Sequence, residues 1–190
     1  MPELPEVETI RHQLNSLLAG KKIKKVQVSL PKMVKLVLAK FKKIVVSAKI
    51  NCVVRRAKIL IFELSNGWSL LVHLKMSGRL IFRKKSEVLK EQDTKWNHLI
   101  YYFSDGSQLF HNDLRQFGYV KAIKTDEVAE FFEKEKLGPE PLDKDFTLDD
   151  FSVILAKRPK AKIKQFLMDQ QNLAGIGNIY SDEILFFAGV

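Results

Sequence analysis

Cysteine is almost absent from this 190-residue chain. Cys52 stands alone, which excludes a disulfide framework and any zinc site built from cysteines. Also missing is an apolar run of the length a membrane-spanning helix needs, and the first residues lack the pattern of a secretion signal. A cytoplasmic protein with no membrane contact is the expectation. Acidic residues are the third shortage: 22 Asp and Glu stand against 32 Lys and Arg, a net charge of +10. Between Lys21 and Lys58 there are thirteen Lys and Arg and no acid at all. Such an excess points to a polyanionic partner, either nucleic acid or an anionic membrane surface.

What is present describes a folded protein. Hydrophobic residues make up 46% and charged residues 28%, which argues against disorder. Within the basic stretch Ile23, Val26, Val28, Met33, Leu36 and Leu38 recur, so it reads as strands with one cationic face.

Leu4, Val7, Ile10, Leu14, Leu17 and Leu18 have helical spacing, with Pro5 near the start and Gly20 at the end. Short strands are predicted next: Ile23–Leu30, Ile44–Ile50, Ile59–Leu64, Trp68–Lys75, Leu80–Arg83, His98–Phe103, Gln108–His111 and Tyr119–Ile123. Turn signals at Ser65-Asn66-Gly67, Ser77-Gly78 and Ser104-Asp105-Gly106 separate several of them. This regularity implies a sandwich or barrel-like β domain. A helix over Asp126 to Lys136 precedes Leu137-Gly138-Pro139-Glu140-Pro141-Leu142, a stiff connector read as the domain boundary. Thr147 is placed to cap a helix over Leu148–Ala156, which Pro159 ends. A helix from Lys160 to Gln170 and another from Asn178 flank the turn Leu173-Ala174-Gly175-Ile176-Gly177. The chain stops at Val190, as a domain cut short would.

Chemistry is concentrated at the start. Removal of Met1 would leave Pro2 with a free secondary amine. An α-amino group titrates near ~8 and a lysine near ~10.4, so the former is more often neutral and nucleophilic. Glu3 beside it is a candidate general acid. Taken alone, a Met-Pro-Glu opening is common and decides nothing. Lys58 is equally readable as one more surface cation, Met76 and Phe117 as core residues, and His73 as an interior strand histidine. Asn178 is readable as a helix cap or as a phosphate ligand, since backbone amides at a helix start suit either role.

The full opening, Met1-Pro2-Glu3-Leu4-Pro5-Glu6-Val7-Glu8-Thr9, resembles that of the formamidopyrimidine-DNA glycosylase family. Leu4 separates it from the endonuclease VIII branch, where glycine is usual. Four more segments agree in order: Arg55-Arg56-Ala57-Lys58, His73-Leu74-Lys75-Met76-Ser77-Gly78, Leu137-Gly138-Pro139-Glu140-Pro141-Leu142 and Gly175-Ile176-Gly177-Asn178-Ile179-Tyr180. The resemblance spans the chain. It implies an α+β protein: an N-terminal helix with a two-layer antiparallel β-sandwich (residues 1–136), a linker (137–146), and a partial helix-two-turn-helix DNA-binding domain (147–190).

The resemblance further implies base-excision repair. Pro2 is then the Schiff-base nucleophile, Glu3 the general acid, Glu6 a pocket residue and Lys58 an aid to proton transfer. Met76, Arg115 and Phe117 fill the gap left by an extruded nucleotide, with Arg115 favouring cytosine opposite. His73, Lys160, Lys164 and Asn178 hold DNA phosphates. The implied activity is excision of oxidised purines from damaged double-stranded DNA with strand scission, by a monomer. The alternatives are an inactive DNA-binding remnant and an endonuclease VIII-type enzyme acting on oxidised pyrimidines.

Two departures stand out. Asp113-Leu114-Arg115-Gln116-Phe117-Gly118 lacks the proline and second arginine common in the family, and Trp96 replaces a frequent histidine. Family members also continue into a four-cysteine finger that binds one structural zinc. Nothing here supplies it, so no metal or other cofactor is assigned to this chain. Loss of that grip on DNA predicts weak or absent glycosylase activity, because positioning supplies much of the rate.

Overall fold

The computed structural model describes residues 1–87 and 95–190. They form two compact units, Met1–Val128 and Ala129–Val190. The α+β class expected from the sequence holds for the first unit. Helix α1 (Leu4–Leu18) opens it, followed by β1 (Ile23–Val28), a 3-10 turn (Pro31–Met33) and helix α2 (Leu38–Val45). Seven strands complete it: β2 (Ile50–Arg56), β3 (Ile59–Leu64), β4 (Trp68–His73), β5 (Gly78–Arg83), β6 (Asn97–Phe103), β7 (Gln108–Asp113) and β8 (Tyr119–Lys124). They make two antiparallel four-stranded sheets, in the orders β1-β6-β7-β5 and β2-β3-β4-β8. One core joins them, with Ile23, Leu99 and Leu109 from the first sheet meeting Val53, Leu60, Phe62, Val72 and Val120 from the second.

Helix α1 contributes Val7, Leu14 and Leu18 to the same core. It also closes an edge. The backbone amide of Val53 donates to Asn15 Oδ1 at 2.8 Å, and Gly20 and Lys21 exchange backbone bonds with Ile50. An open strand edge would otherwise present unpaired amides to other chains.

The strand expected over Ile44–Ile50 is not there. Residues Leu38–Val45 form helix α2, burying Phe41, Ile44 and Val45, an i, i+3, i+4 set hidden among lysines. The strand lies later, at Ile50–Arg56. A register shift between Ile50 and Cys52 breaks its alternation, so its buried residues fall three apart and give no two-residue period.

In the second unit helix α3 (Val128–Glu135) leads to α4 (Leu148–Ala156), α5 (Ile163–Met168) and α6 (Asn178–Ala188). Thr147 caps α4 as expected: its Oγ1 accepts from the Asp150 amide at 3.2 Å, and Asp150 Oδ2 accepts from the Thr147 amide at 2.9 Å. A small core of Phe166, Leu167, Leu173 and Ile176 takes Phe151 edge-on against Phe166. Helix α5 is shorter than the predicted Lys160–Gln170. Lys162 is extended, and Asp169 leaves the helical region while its carboxylate takes the Gln171 amide at 3.0 Å. Such local side-chain bonding competes with helix.

Gly138 packs against the 170–174 turn, donating its amide to the Gln170 carbonyl at 2.9 Å. A Cβ there would stand 2.4 Å from the Asn172 carbonyl oxygen. Backbone cannot swing aside as a side-chain tip can, so Gly138→Ala is expected to destabilise this unit by about 1–3 kcal/mol. Urea unfolding followed by circular dichroism checks it; an unchanged midpoint would show that the segment shifts freely. No helix among the described residues is long and apolar enough to cross a membrane.

Candidate active site

The chain start is tightly specified. Glu3 is the N-cap of α1, in extended backbone, and forms a reciprocal capping box with Glu6: the Glu3 amide donates to Glu6 Oε2 at 2.8 Å. Pro5 occupies the first turn, where a missing amide costs little. Glu3 is thereby held with only 2% of its surface exposed, while Pro2 is partly buried and Glu6 exposed.

Strands β2 and β3 pair down to Arg56 and Ile59, leaving Ala57 and Lys58 as a two-residue tip. Ala57 takes the left-handed conformation, with φ of 49°. Arg55 fixes this tip to α1: its Nη1 donates to the Ala57 carbonyl at 3.0 Å and its Nε to Glu8 Oε2 at 2.8 Å. Glu8 also accepts from Arg11. Burial pushes the Glu8 carboxyl up, but the two guanidiniums outweigh it and hold it below its ordinary range.

Lys58 is 7% exposed, near enough to Glu3 and Lys75 to feel both charges. Burial lowers its ammonium's pKa; Glu3 acts upward and Lys75 downward, and the result is a lysine below its usual range. A buried lysine beside a buried carboxylate at the chain start is not a solvated surface cation.

His73 ends β4 and sits in the same neighbourhood. Burial, then Lys75, then Lys58 bring its pKa down to about 4, so it is neutral at pH 7. Its Nδ1 accepts from the Lys75 amide at 3.0 Å, which places the neutral ring's proton on Nε2. Lys75 itself adopts a left-handed φ of 52° and lies over the Tyr119 ring. In the sequence Lys75 is marked only by its place in the His73–Gly78 segment, since a positive φ on a lysine leaves no trace in composition.

The strand predicted to reach Lys75 stops at His73, and residues 74–77 form a loop carrying Met76. Met76 is 47% and Phe117 54% exposed, so neither belongs to the core. Strand pairing sets Gly78 opposite Asp113, bringing the 74–77 loop beside residues 114–118. There the Arg115 guanidinium lies 5.0 Å from the Phe117 ring centroid. Asp113 is fully buried. Its Oδ1 accepts from the Ser77 hydroxyl and from the Arg115 amide at 3.2 Å, and its Oδ2 from the Gly118 amide at 2.7 Å. Ser77 Oγ also accepts from the Arg115 amide, at 2.9 Å.

The remaining expected residues lie in the helical unit. Asn178 is exposed as the first residue of α6, but Gly177 rather than Asn178 is its N-cap. Lys164 Nζ pairs with Asp182 Oδ1 at 2.6 Å, joining α5 to α6. Lys160 falls in the turn before α5 instead of on the helix, and is exposed. Gln170 holds the glycine turn, accepting from the Gly175 amide and donating to the Ile176 carbonyl. Among the described residues no three His, Cys, Asp or Glu side chains gather where they could hold a metal. The zinc implied by the resemblance therefore has no ligand set among them.

A two-sheet unit with a carboxylate and a lysine buried near its chain start, followed in the same chain by a helical unit with a glycine turn, defines the class. The description "Formamidopyrimidine-DNA glycosylase N-terminal domain" matches residues 1–120, and "Formamidopyrimidine-DNA glycosylase H2TH domain" matches residues 137–190. The chain belongs to the formamidopyrimidine-DNA glycosylase family. It is 40% identical over 190 residues to the Streptococcus pneumoniae formamidopyrimidine-DNA glycosylase, covering all of this chain and 67% of that one. The Listeria monocytogenes protein of the same name is 43% identical, with 100% and 68% covered. Among solved structures, Lactococcus lactis Fpg bound non-covalently to abasic-site DNA matches with a TM-score of 0.86 at 37% identity, covering 99% of this chain and 70% of that one. The same organism's wild-type protein, in complex with DNA containing N7-benzyl-Fapy-dG, matches at 0.89 and 37%, with 100% and 68% covered.

Proposed function

We propose that this chain is a base-excision repair glycosylase with lyase activity, acting on oxidised purines in double-stranded DNA. Once Met1 is removed, the Pro2 nitrogen attacks C1′ of the damaged nucleotide. The C1′–N bond to the base breaks, the base departs with a proton, and an iminium links Pro2 to the opened sugar. Glu3 protonates the sugar ring oxygen as the ring opens. The iminium acidifies the C2′ proton, whose loss expels the 3′ phosphate. Lys58 relays that proton and steadies a phosphate oxygen, and Glu6 shapes the pocket.

Met76, Arg115 and Phe117 occupy the space that the extruded nucleotide leaves. Unstacking a base costs a few kcal/mol, and apolar wedges with a guanidinium recover part of it. His73, Lys160, Lys164 and Asn178 contact the DNA backbone. The net charge of +10 suits that partner.

The observation that carries this reading is the burial of Glu3 and Lys58 within electrostatic reach of one another at the start of α1. A lysine whose pKa is lowered gives up its proton readily, as a relay requires. The Lactococcus lactis relatives with abasic-site and Fapy-containing DNA support the substrate class.

Borohydride reduction in the presence of abasic-site DNA is expected to leave a covalent adduct mapping to Pro2. Salt-sensitive DNA binding without an adduct would make the chain an inactive binding remnant. Faster excision of oxidised pyrimidines than of 8-oxoguanine would favour the endonuclease VIII-type alternative.

A further inference from the structure

We propose that Asp113 is a positioning residue that locks the two duplex-entering loops into one wedge. This inference rests on reading Met76, Arg115 and Phe117 as groups that enter the DNA. Each loop is short and has one non-glycine residue with positive φ: Lys75 (52°) in the first and Gln116 (58°) in the second. Backbone in that region does not hold itself there without support.

The support converges on one carboxylate. Oδ1 takes the Ser77 hydroxyl from the first loop and the Arg115 amide from the second; Oδ2 takes the Gly118 amide at the second loop's far end. Ser77 Oγ, accepting from Arg115 at 2.9 Å, makes a second bridge between the loops. Asp113 is anchored from behind: its amide donates to the Trp96 carbonyl at 3.0 Å, and its carbonyl lies 3.0 Å from His98 Nε2.

Gly118 is fitted to this clamp. A Cβ there would lie 3.0 Å from Asp113 Oδ2, 3.1 Å from His111 Nε2 and 3.2 Å from the His73 carbonyl oxygen. The clamp thus adjoins His73, one of the candidate DNA-backbone contacts. Burial acts to raise the Asp113 carboxyl's pKa, but the Ser77, Gly118 and Arg115 donors and nearby His111 outweigh it and keep the acid ionised.

Asparagine holds the two loops less firmly. An amide has one acceptor oxygen, so its NH2 must face either the Gly118 amide or the Arg115 amide, and that donor loses its acceptor on residue 113, whereas the Ser77 hydroxyl can turn round to accept.

The test uses a duplex with a tetrahydrofuran abasic analogue opposite 2-aminopurine, whose fluorescence changes when a wedge unstacks it. Tetrahydrofuran forms no iminium, so this readout is independent of the Pro2 chemistry. Asp113→Asn is expected to lose most of the fluorescence change and about tenfold in affinity, and Ser77→Ala about threefold. In parallel, borohydride trapping on natural abasic DNA at saturating protein is expected to stay within about threefold for both variants. A full fluorescence change in Asp113→Asn, or an equal loss of trapping rate, would overturn the clamp. Should Asp113→Asn not fold, Ser77→Ala decides, and an unaltered signal there overturns it. If the unsubstituted chain traps no DNA, the Schiff-base reading fails while the fluorescence comparison still judges the clamp. If it gives no fluorescence change, the wedge is wrong and the clamp falls with it.

Discussion

Glu3→Gln is expected to slow excision of 8-oxoguanine by about a thousandfold, because a positioned general acid contributes about a hundredfold to ten thousandfold. The substitution is structurally mild. A glutamine carbonyl still accepts the Glu6 amide, and the Glu3 backbone amide still donates to Glu6 Oε2, so the capping box that starts α1 survives. What disappears is a group able to deliver a proton and, when ionised, to place a negative charge beside Lys58. That charge acts to raise the Lys58 pKa against burial and Lys75, so its removal leaves Lys58 further below its ordinary range. Loss of the carboxyl is what impairs the step that needs a proton donor. Trapping on a ready-made abasic site needs no base to leave, and is expected to fall far less, by about tenfold or under. Single-turnover excision and trapping, each measured against the unsubstituted chain, separate these effects. Excision within tenfold of the unsubstituted rate would remove Glu3 from the role of acid.

Acid is expected to unfold this protein through histidine before it does so through its carboxylates. His111 is completely buried in β7, and neither ring nitrogen finds a hydrogen-bond partner among the described residues. Burial takes its pKa down to about 4, against a partial upward pull from Asp113 and a further downward one from His98. His73 reaches the same value. In the unfolded chain both titrate near ~6.5, so unfolded molecules take up protons first as pH falls. The stability that neutrality confers is complete above that pH and drains away between about 6.5 and 4. At about pH 5 the loss is about 2 kcal/mol for each histidine.

Urea midpoints at about pH 7 and pH 5 measure that loss. His111→Leu is expected to remove about half of the drop. At neutral pH the same change is expected to be harmless or stabilising, since it replaces an unpaired buried polar group by an apolar one. A midpoint that stays level from neutral pH to about 5 would refute the assignment of both histidines.

Much of this architecture was readable in the residues, for identifiable reasons. Helix α1 and the capped helix α4 announce themselves because apolar spacing and a terminal signal coincide: Pro5 in one case, Thr147 with Asp150 in the other. Strands β3, β4, β6 and β8 carry continuous or alternating apolar runs between turns. Helix α2 was hidden because lysine serves equally well on an exposed helix face and an exposed strand face. Strand β2 was hidden by its bulge. The candidate site divides in the same way. Pro2, Glu3, Lys58 and the trio Met76, Arg115 and Phe117 stand out as candidates only through the segments that resemble the family. Lys75 and Asp113 act through neighbours distant in the chain, by charge on Lys58 or by bonds to loops whose pairing is a property of the sheet. Lys160 was misplaced because Lys162 and Asp169 clip the helix at both ends, through backbone angles that composition does not record.

The bond from Asn15 to the Val53 amide joins two concerns that are ordinarily separate. The element that follows Pro2, the proposed nucleophile, also screens the unpaired side of the β2 strand. Any slackening of α1 therefore shifts Pro2 and bares an adhesive edge at the same moment. A chain whose first helix loosens is thus also one that offers a strand edge to other chains.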